Sequence, residues 1–281
     1  MIVGIDGAFV RATSLKNQRR HFEVVLGRIE PIGGSSMVFS AVRDLDDLAR
    51  ERVRSALRAA GRGPATKLTV LCDGEDAMRL MAGQWLNGRV EHRLDWFHLR
   101  RRIEWLGRSL YWAINYGDAD SEAKMTRYRR DLRSVRWNLW HYRRSRHARW
   151  FIALSHLGAQ ILSHRNEIEA AGGDLARIED AYKRFRELEH YARANIGSLK
   201  DYGRAWRHGE PISTADIEAT VNQLINQRMC KKRQMRWSRL GAQLMLYVRT
   251  AHLNGNLERY CCLPNPARWI FANNNETLKA A

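Results

Sequence analysis

Three carboxylates, widely separated along the chain, are of the residue types that bind divalent metal ions. Asp6 lies in the apolar run MIVGIDGAFV, and Asp73 directly follows the apolar run LTVLC. Glu218 lies much further along, in the segment ISTADIEATVNQ. A carboxylate within or beside a buried strand is costly unless it is paired or binds a cation. The three residues are therefore candidate metal ligands.

Each of these carboxylates also has an ordinary structural interpretation. The Asp-Gly pair at position 6 is typical of a turn, and Asp73 is well placed to cap a following helix. Glu218 suits the first turn of a helix, which the capping-box spacing of Ser213 and Asp216 predicts. The residues by themselves leave both interpretations open.

The elements that must position these carboxylates predict an α/β fold. Short apolar runs bounded by turn residues predict five strands, at 2–12, 21–29, 37–42, 68–72 and 90–96. Apolar stripes predict helices at 44–60, at 75–86 and from Leu99 onward. A three-stranded meander followed by alternating helices and strands is the order of the ribonuclease H-like fold. In that fold the first and fourth strands are central neighbours, so we expect Asp6 and Asp73 to face each other.

A long segment without any strand pattern separates Asp73 from Glu218. From Tyr111 to Trp206 the sequence is predicted to be helical, with a break at Gly172 and Gly173 and then a helix with buried Ala181, Phe185, Leu188 and Ala192. After it, Ile217, Val221, Leu224 and Ile225 are the predicted buried face of a returning helix. We therefore expect a catalytic core at 1–110 and 207–258, a helical insertion at 111–206 and a separate tail at 259–281.

The charge balance favours a polyanionic partner. Lys and Arg number 48 against 30 acids, a net charge of +18, which suits nucleic acid above all. The segment from Arg127 to Arg149 holds nine Arg and one Asp, a local charge of +8 (9 − 1), and a second cluster at 228–239 has no acid. A solvated basic face is the alternative for both. Aromatic residues interleave with these arginines, and the predicted DNA contacts are Arg127, Arg130, Arg133, Arg136, Arg143, Arg144, Lys231, Lys232, Arg233, Arg236 and Trp237.

Several other classes of protein are disfavoured. The longest apolar runs fall far short of the roughly 20 residues that span a membrane, and no basic-then-apolar secretory segment opens the chain. The four cysteines form no CxxC pair and are interpreted as reduced thiols. We expect a cytoplasmic protein without a membrane partner.

Three further polar residues are candidates for a supporting role. Asp95 and His98 belong to the sequence DWFH, at the end of a predicted strand, where a purely structural placement is also common. Asn222 follows Glu218 by four residues and so shares its helix face.

Taken together, three stretches of the sequence resemble the DDE transposases of bacterial insertion sequences, most closely the ISKra group. The stretches are VGIDGAFVRA with FEVVLGR, LCDGED followed by LDWFHLRRRI, and ISTADIEATVNQLINQRMCKKRQMRW leading to VRTAHLNGNLE. The resemblance covers most of residues 1–258 and is weakest through the helical segment.

The resemblance implies a ribonuclease H-like core in which Asp6, Asp73 and Glu218 form the DDE triad. It implies two Mg²⁺ (or Mn²⁺) ions, cleavage of double-stranded DNA at the ends of the element by water, and attack of the freed 3′-hydroxyl on target DNA. It further implies a nucleoid-associated homo-oligomer on DNA.

Two departures from the family pattern lead to an alternative expectation. Family members usually carry an end-binding region before the first strand, whereas Met1 lies five residues before Asp6, and the tail from Arg259 to Ala281 looks unlike the family. A truncated, inactive remnant that only binds DNA is therefore one alternative. A ribonuclease H-like nuclease of repair or recombination is the other.

Overall fold

The computed structural model describes residues 1–13, 20–31, 34–43, 46–74, 83, 86, 90–114, 120–146, 148–214, 219–220, 223–225, 229 and 235–258. The chain divides into two compact units. Unit 1 comprises 1–91 and 215–281, and unit 2 comprises His92–Thr214. No helix among the described residues is long and apolar enough to cross a membrane.

The protein has an α/β fold built on a five-stranded mixed sheet. Its strands are β1 (Ile2–Arg11), β2 (His21–Glu30), β3 (Met37–Val42), β4 (Leu68–Cys72) and β5 (Val90–Leu94), in the spatial order β3-β2-β1-β4-β5. β1, β2 and β3 form an antiparallel meander, and β1 pairs with β4 in parallel. The predicted meander and the predicted neighbourhood of the first and fourth strands are both confirmed.

Seven helices are described. They are α1 (Asp46–Ala59), α2 (Trp96–Ala113), α3 (Ser121–Trp140), α4 (Ala148–Ala170), α5 (Ala176–Ala194), α6 (Tyr202–Arg207) and α7 (Arg239–Leu253). Short 3₁₀ turns occur at Arg144–Arg146 and Ile196–Ser198.

Both faces of the sheet in unit 1 are covered, because side chains along each strand alternate between them. Val3 and Ile5 of β1 pack with Val53 and Leu57 of α1 in one core. The opposite face forms a second core, in which Val10, Ala12, Val24 and Leu26 pack with Leu224, Ile225, Ala242 and Leu246. β1 is thus held from both sides.

Unit 2 has a core of its own, formed by its helices. The predicted buried face of α5 is confirmed, since Ala181, Leu188 and Ala192 are fully buried and Phe185 nearly so. The break at Gly172 and Gly173 is also confirmed, because α4 ends at Ala170 and α5 begins at Ala176.

One boundary was predicted wrongly. The fifth strand ends at Leu94 rather than at residue 96, and α2 begins at Trp96 rather than near Leu99. The cause is Asp95, whose Oδ1 accepts a hydrogen bond from the Phe97 backbone N–H at 2.8 Å and so caps the helix. The predicted cap at Asp44, most of the helix predicted at 75–86 and the tail lie outside the described residues.

Candidate functional site

The parallel pairing of β1 with β4 has a register that points from Asp6 towards Asp73. The pairing ends at Gly4, and paired residues such as Val3 and Val70 differ by 67 in number (70 − 3). Asp6 and Asp73 differ by the same amount (73 − 6 = 67) and lie two residues beyond the last pair. Adjacent strands are about 4.8 Å apart. If this register continued for two residues beyond the last pair, Asp6 in the middle of β1 would lie beside Asp73, the residue that follows β4.

The local backbone holds Asp6 in the middle of β1 and Asp73 just beyond the end of β4. Asp6 Oδ1 accepts a hydrogen bond from the Gly7 backbone N–H at 2.8 Å, which orients its side chain. Gly74 has a φ of 81°, in the left-handed region that favours glycine, so the chain turns immediately after Asp73. Both aspartates are half-buried, a setting in which a carboxylate keeps some access to solvent and to a cation.

Two described residues that follow Glu218 in the chain pack on the face of the sheet to which Asp6 belongs. Asp6 belongs to the even-numbered positions of β1, and Ala8 and Val10 of that set pack in the second core of unit 1. The predicted burial of Leu224 and Ile225 in the returning helix is confirmed: the exposed fractions are 1% and 0%, and both lie in this core.

Glu218, Asn222, Ile217 and Val221 lie outside the described residues. Asp6 and Asp73 are thus the two described members of the predicted triad. No group of three or more His, Cys, Asp or Glu side chains that could hold a metal ion occurs within the described part of the chain. Two carboxylates supply hard oxygen donors, which are the ligands that Mg²⁺ and Mn²⁺ prefer. The donor set at Asp6 and Asp73 therefore fits such an ion, and a third carboxylate at Glu218 would complete it.

Asp95, predicted to have a supporting role, is a fully buried carboxylate in unit 2. It accepts hydrogen bonds from the Phe97 backbone N–H and from the hydroxyl of Thr214, and its Oδ2 lies 3.6 Å from His98 Nε2. Burial raises the pKa of Asp95 above its ordinary value, while the hydrogen bonds and His98 partly oppose that shift. Asp95 acts within the protein as a structural acceptor.

These contacts hold the first and last residues of unit 2 together. The backbone N–H of Trp96 donates to the carbonyl oxygen of Ile212 at 3.0 Å, and Arg93 forms an ion pair with Glu210. Together with the hydrogen bond from Thr214 to Asp95, these contacts join the two ends of the chain segment that forms unit 2. Thr214 precedes Glu218 by four residues.

The predicted basic surface of unit 2 lies mainly on α3. Arg127 and Arg130 are exposed but lie near acids, 3.5 Å from Asp120 and 3.3 Å from Asp131. Among the other exposed arginines of α3, Arg129, Arg133 and Arg136 form no ion pair with a described residue. They are spaced four and three residues apart and share one helix face.

Arg129 was not among the predicted contacts, although its spacing to Arg133 could have revealed it. Arg143, also predicted, is engaged with Asp201 at 3.2 Å, and Arg144 lies next to it in the chain. The α3 stripe, which consists of Arg129, Arg133 and Arg136, is therefore the part of the predicted basic surface that is most accessible to a partner.

The aromatic residues among these arginines have different environments. Tyr128 and Tyr142 are buried, and the Tyr128 hydroxyl lies 3.0 Å from His164 Nδ1, so both belong to the core rather than to a binding surface. Burial raises the pKa of Tyr128 as a consequence. Trp140 packs against the same core. Trp137 differs, because 63% of it is exposed.

The second basic cluster is only partly described. Lys231, Lys232 and Arg233 lie outside the described residues, and Arg236 is exposed. Trp237, predicted as a DNA contact, lies beside the end of β1 in unit 1. Its backbone exchanges hydrogen bonds of 2.9 Å with Arg11 and Thr13, and its side chain packs against the second core.

Comparison with known protein families gives no match for this chain, and comparison with curated proteins gives no significant match. What the fold and the site define is an α/β protein with one carboxylate on and one just beyond its neighbouring central strands, and an arginine-rich helical unit.

Proposed function

We propose that the protein is a DDE-type transposase core with a ribonuclease H-like fold, which cleaves DNA and joins the cut strand to target DNA. Asp6, Asp73 and Glu218 are its proposed metal ligands and catalytic residues. The observation that supports this most strongly is the parallel register of β1 and β4, which would bring Asp6 beside Asp73 if it continued for two residues.

Two Mg²⁺ or Mn²⁺ ions, when bound, would activate a hydroxyl nucleophile and stabilise the leaving oxygen of an in-line displacement at phosphorus. The protein's own contribution is to hold its carboxylates rigidly. Asp6 is on a strand packed on both faces, and Asp73 is fixed by the turn at Gly74. Two carboxylates that lie close together repel each other, and a bound cation would reduce that repulsion.

Unit 2 has two roles in the proposal. The hydrogen bond between Thr214 and Asp95 joins the two ends of unit 2, and the chain continues from Thr214 to Glu218. The α3 stripe of Arg129, Arg133 and Arg136 binds phosphates of DNA, since guanidinium groups match phosphate geometry. In this interpretation the segment 111–206, which belongs to unit 2, is a helical insertion within the catalytic core.

The test is a nicking and strand-transfer assay on supercoiled DNA with Mg²⁺ or Mn²⁺. We expect the parent protein to nick DNA only with metal, and expect Asp6→Ala, Asp73→Ala and Glu218→Ala each to lose this activity. Titration with Mn²⁺, followed by its electron paramagnetic resonance signal, measures ion binding apart from activity and should show weaker binding in all three variants. An Asp73→Ala protein that nicks like the parent would refute the assignment.

The same assay distinguishes the two alternatives. A nuclease of the same fold cuts with metal but never joins ends, so it gives nicks without strand-transfer products. A DNA-binding remnant, which the basic α3 stripe on its own would also support, binds DNA but gives neither product in the parent and all variants.

A further inference from the structure

A basic cleft lies in unit 1, at the opposite end of β4 from Asp73. The second half of α1, the loop after it and the start of β5 line this cleft, whose volume is ≈ 1180 Å³. β4 runs from Leu68 to Cys72. At about 3.3 Å per residue, Lys67 at one end and Asp73 at the other are roughly 20 Å apart. The cleft is therefore well separated from Asp73.

Four cationic side chains from separate segments converge on the cleft. Arg54 and Arg58 are one turn apart on α1 and so share a helix face, while Arg62 and Lys67 belong to the connection between α1 and β4. Glu91 is the single acid among the described lining residues, which gives the lining a formal charge of +3 (4 − 1). A cleft with this charge is suited to an anion.

The ion pairs already present leave the cations accessible. Lys67 Nζ lies 3.4 Å from Glu91, with 77% of the lysine side chain exposed, and Arg58 lies 3.5 Å from Glu51, with 66% of the arginine side chain exposed. Exposed pairs of this kind contribute about 1 kcal/mol or less, so phosphate can compete for these cations. Arg54 forms no ion pair with any described residue.

Arg62 adds a fixed cation next to Arg54. Its Nη1 donates a hydrogen bond to the carbonyl oxygen of Leu86, which holds the guanidinium in place. Burial lowers the pKa of Arg62, and repulsion from Arg54 lowers it further. An anion bound between the two guanidinium groups would relieve that repulsion.

We propose that this cleft binds the phosphodiester backbone of DNA, at a contact site separate from the proposed catalytic carboxylates. Arginine and lysine at several points along an exposed cleft suit a chain of phosphates rather than one enclosed ion. The distance of roughly 20 Å from Asp73 means that the contact contributes to binding and not to the chemical step. It goes beyond the proposed function, because it does not depend on cleavage.

The test compares two triple variants in duplex-DNA binding, measured by fluorescence anisotropy at several salt concentrations without divalent metal. The cleft variant is Arg54→Gln, Arg58→Gln, Lys67→Gln, which leaves the anchored Arg62 unchanged. Its control is Arg100→Gln, Arg184→Gln, Arg186→Gln, which removes the same charge from arginines of unit 2 that pair with acids.

We expect the slope of log affinity against log salt to fall by about 2.7 (3 × 0.9) in the cleft variant and to stay near the parent value in the control. Equal slopes in the two variants would overturn the proposal. Isothermal calorimetry with inorganic pyrophosphate adds a second measurement. If pyrophosphate binds the parent better than the cleft variant while the DNA slopes are equal, the site takes small phosphates and the assignment to DNA is wrong. Because no metal is present, failure of the cleavage assay leaves this result intact.

Discussion

The buried or half-buried aspartates of the two units have different partners. In unit 2, Asp95 is a helix cap that also accepts from Thr214, and Asp131 lies 2.9 Å from His156 Nδ1 and 3.3 Å from Arg130. These donors and cations belong to unit 2 itself. In unit 1, Asp6 lies in the middle of β1 and accepts from the Gly7 backbone N–H, and Asp73 follows the neighbouring strand β4.

The difference shows that the same residue type has two uses. A buried carboxylate with local donors stabilises a helix or an ion pair, and its charge is then already compensated. Asp6 and Asp73, which belong to neighbouring strands, are instead the residues that we propose as metal ligands. Substitutions of Asp6 and Asp73 should therefore affect chemistry, and substitutions in unit 2 should affect DNA binding or stability.

The largest effect is expected for Asp73→Asn. The side chain keeps its size but loses its charge, so a metal ligand contributing several kcal/mol is weakened. We expect metal-dependent nicking to fall by about a thousandfold or more, while the affinity for DNA without metal stays within about twofold of the parent. Asp180→Asn, an exposed aspartate of unit 2, is the matched control and should nick normally. Equal nicking by the Asp73→Asn and Asp180→Asn variants would show that Asp73 contributes no more to cleavage than an exposed aspartate of unit 2.

The second largest effect is expected for the α3 stripe. Arg129→Gln, Arg133→Gln, Arg136→Gln should lower the slope of log affinity against log salt by about 2.7 (3 × 0.9). Between 50 and 200 mM salt the parent should accordingly lose about 40-fold more affinity than the variant. Anisotropy with duplex DNA measures this, with the variant at Arg100, Arg184 and Arg186 as the control. An unchanged slope would mean that the stripe is only a solvated face.

These two predictions also show what could be read from the sequence. The stripe of α3 follows from helical periodicity over a few residues, and strands as apolar as β4 are recognisable from their composition alone. The placement of Asp6 relative to Asp73 is different, because 67 residues separate them. The order of elements predicted that β1 and β4 are neighbours, but only the pairing of Val3 with Val70 gives the register.

Other features were not predictable because they depend on tertiary contacts. Tyr128, Tyr142 and Trp137 all lie among arginines in sequence, yet packing buries the two tyrosines and leaves Trp137 exposed. Likewise, the sequence DWFH is typical of a strand end that carries polar groups of a functional site. The partner of Asp95 is Thr214, which is 119 residues away, and no local pattern indicates that contact.

A smaller effect is expected for Asp95→Ala, on stability. The substitution removes the cap of α2 and leaves the Thr214 hydroxyl without its acceptor, which together should lower the free energy of unfolding by about 2 kcal/mol. Urea unfolding followed by tryptophan fluorescence measures the change. In a Thr214→Val background the same substitution should cost less, because the hydroxyl is already absent. Equal losses of unfolding free energy in both backgrounds would show that Asp95 and Thr214 are not energetically coupled.

A related prediction concerns pH. Because burial raises the pKa of Asp95 above its ordinary value of 3.8, the native state retains a proton that the unfolded state has released. The stability that this group contributes therefore falls as pH rises from about 3.8 through the folded-state pKa. Asp95→Asn removes that dependence, so the parent minus variant difference in unfolding free energy should decrease with rising pH over this range. A difference that increases with pH would mean that its hydrogen bonds and His98 dominate over burial.

The smallest effect is expected for Trp137→Ala, which tests whether the exposed aromatic of α3 contributes to the basic surface. The Trp137 ring lies 4.3 Å from the ring of His141 and follows Arg133 by one turn, so it is held beside the stripe. An exposed indole in this position can stack on an unpaired base, for about 1 kcal/mol. We expect affinity for single-stranded DNA to fall about fivefold and affinity for duplex DNA to change less, because duplex bases are already stacked. Trp112→Ala is the control, since Trp112 of α2 is also 63% exposed. Equal losses in both variants would show that exposed apolar surface, and not the position beside the arginines, accounts for the binding.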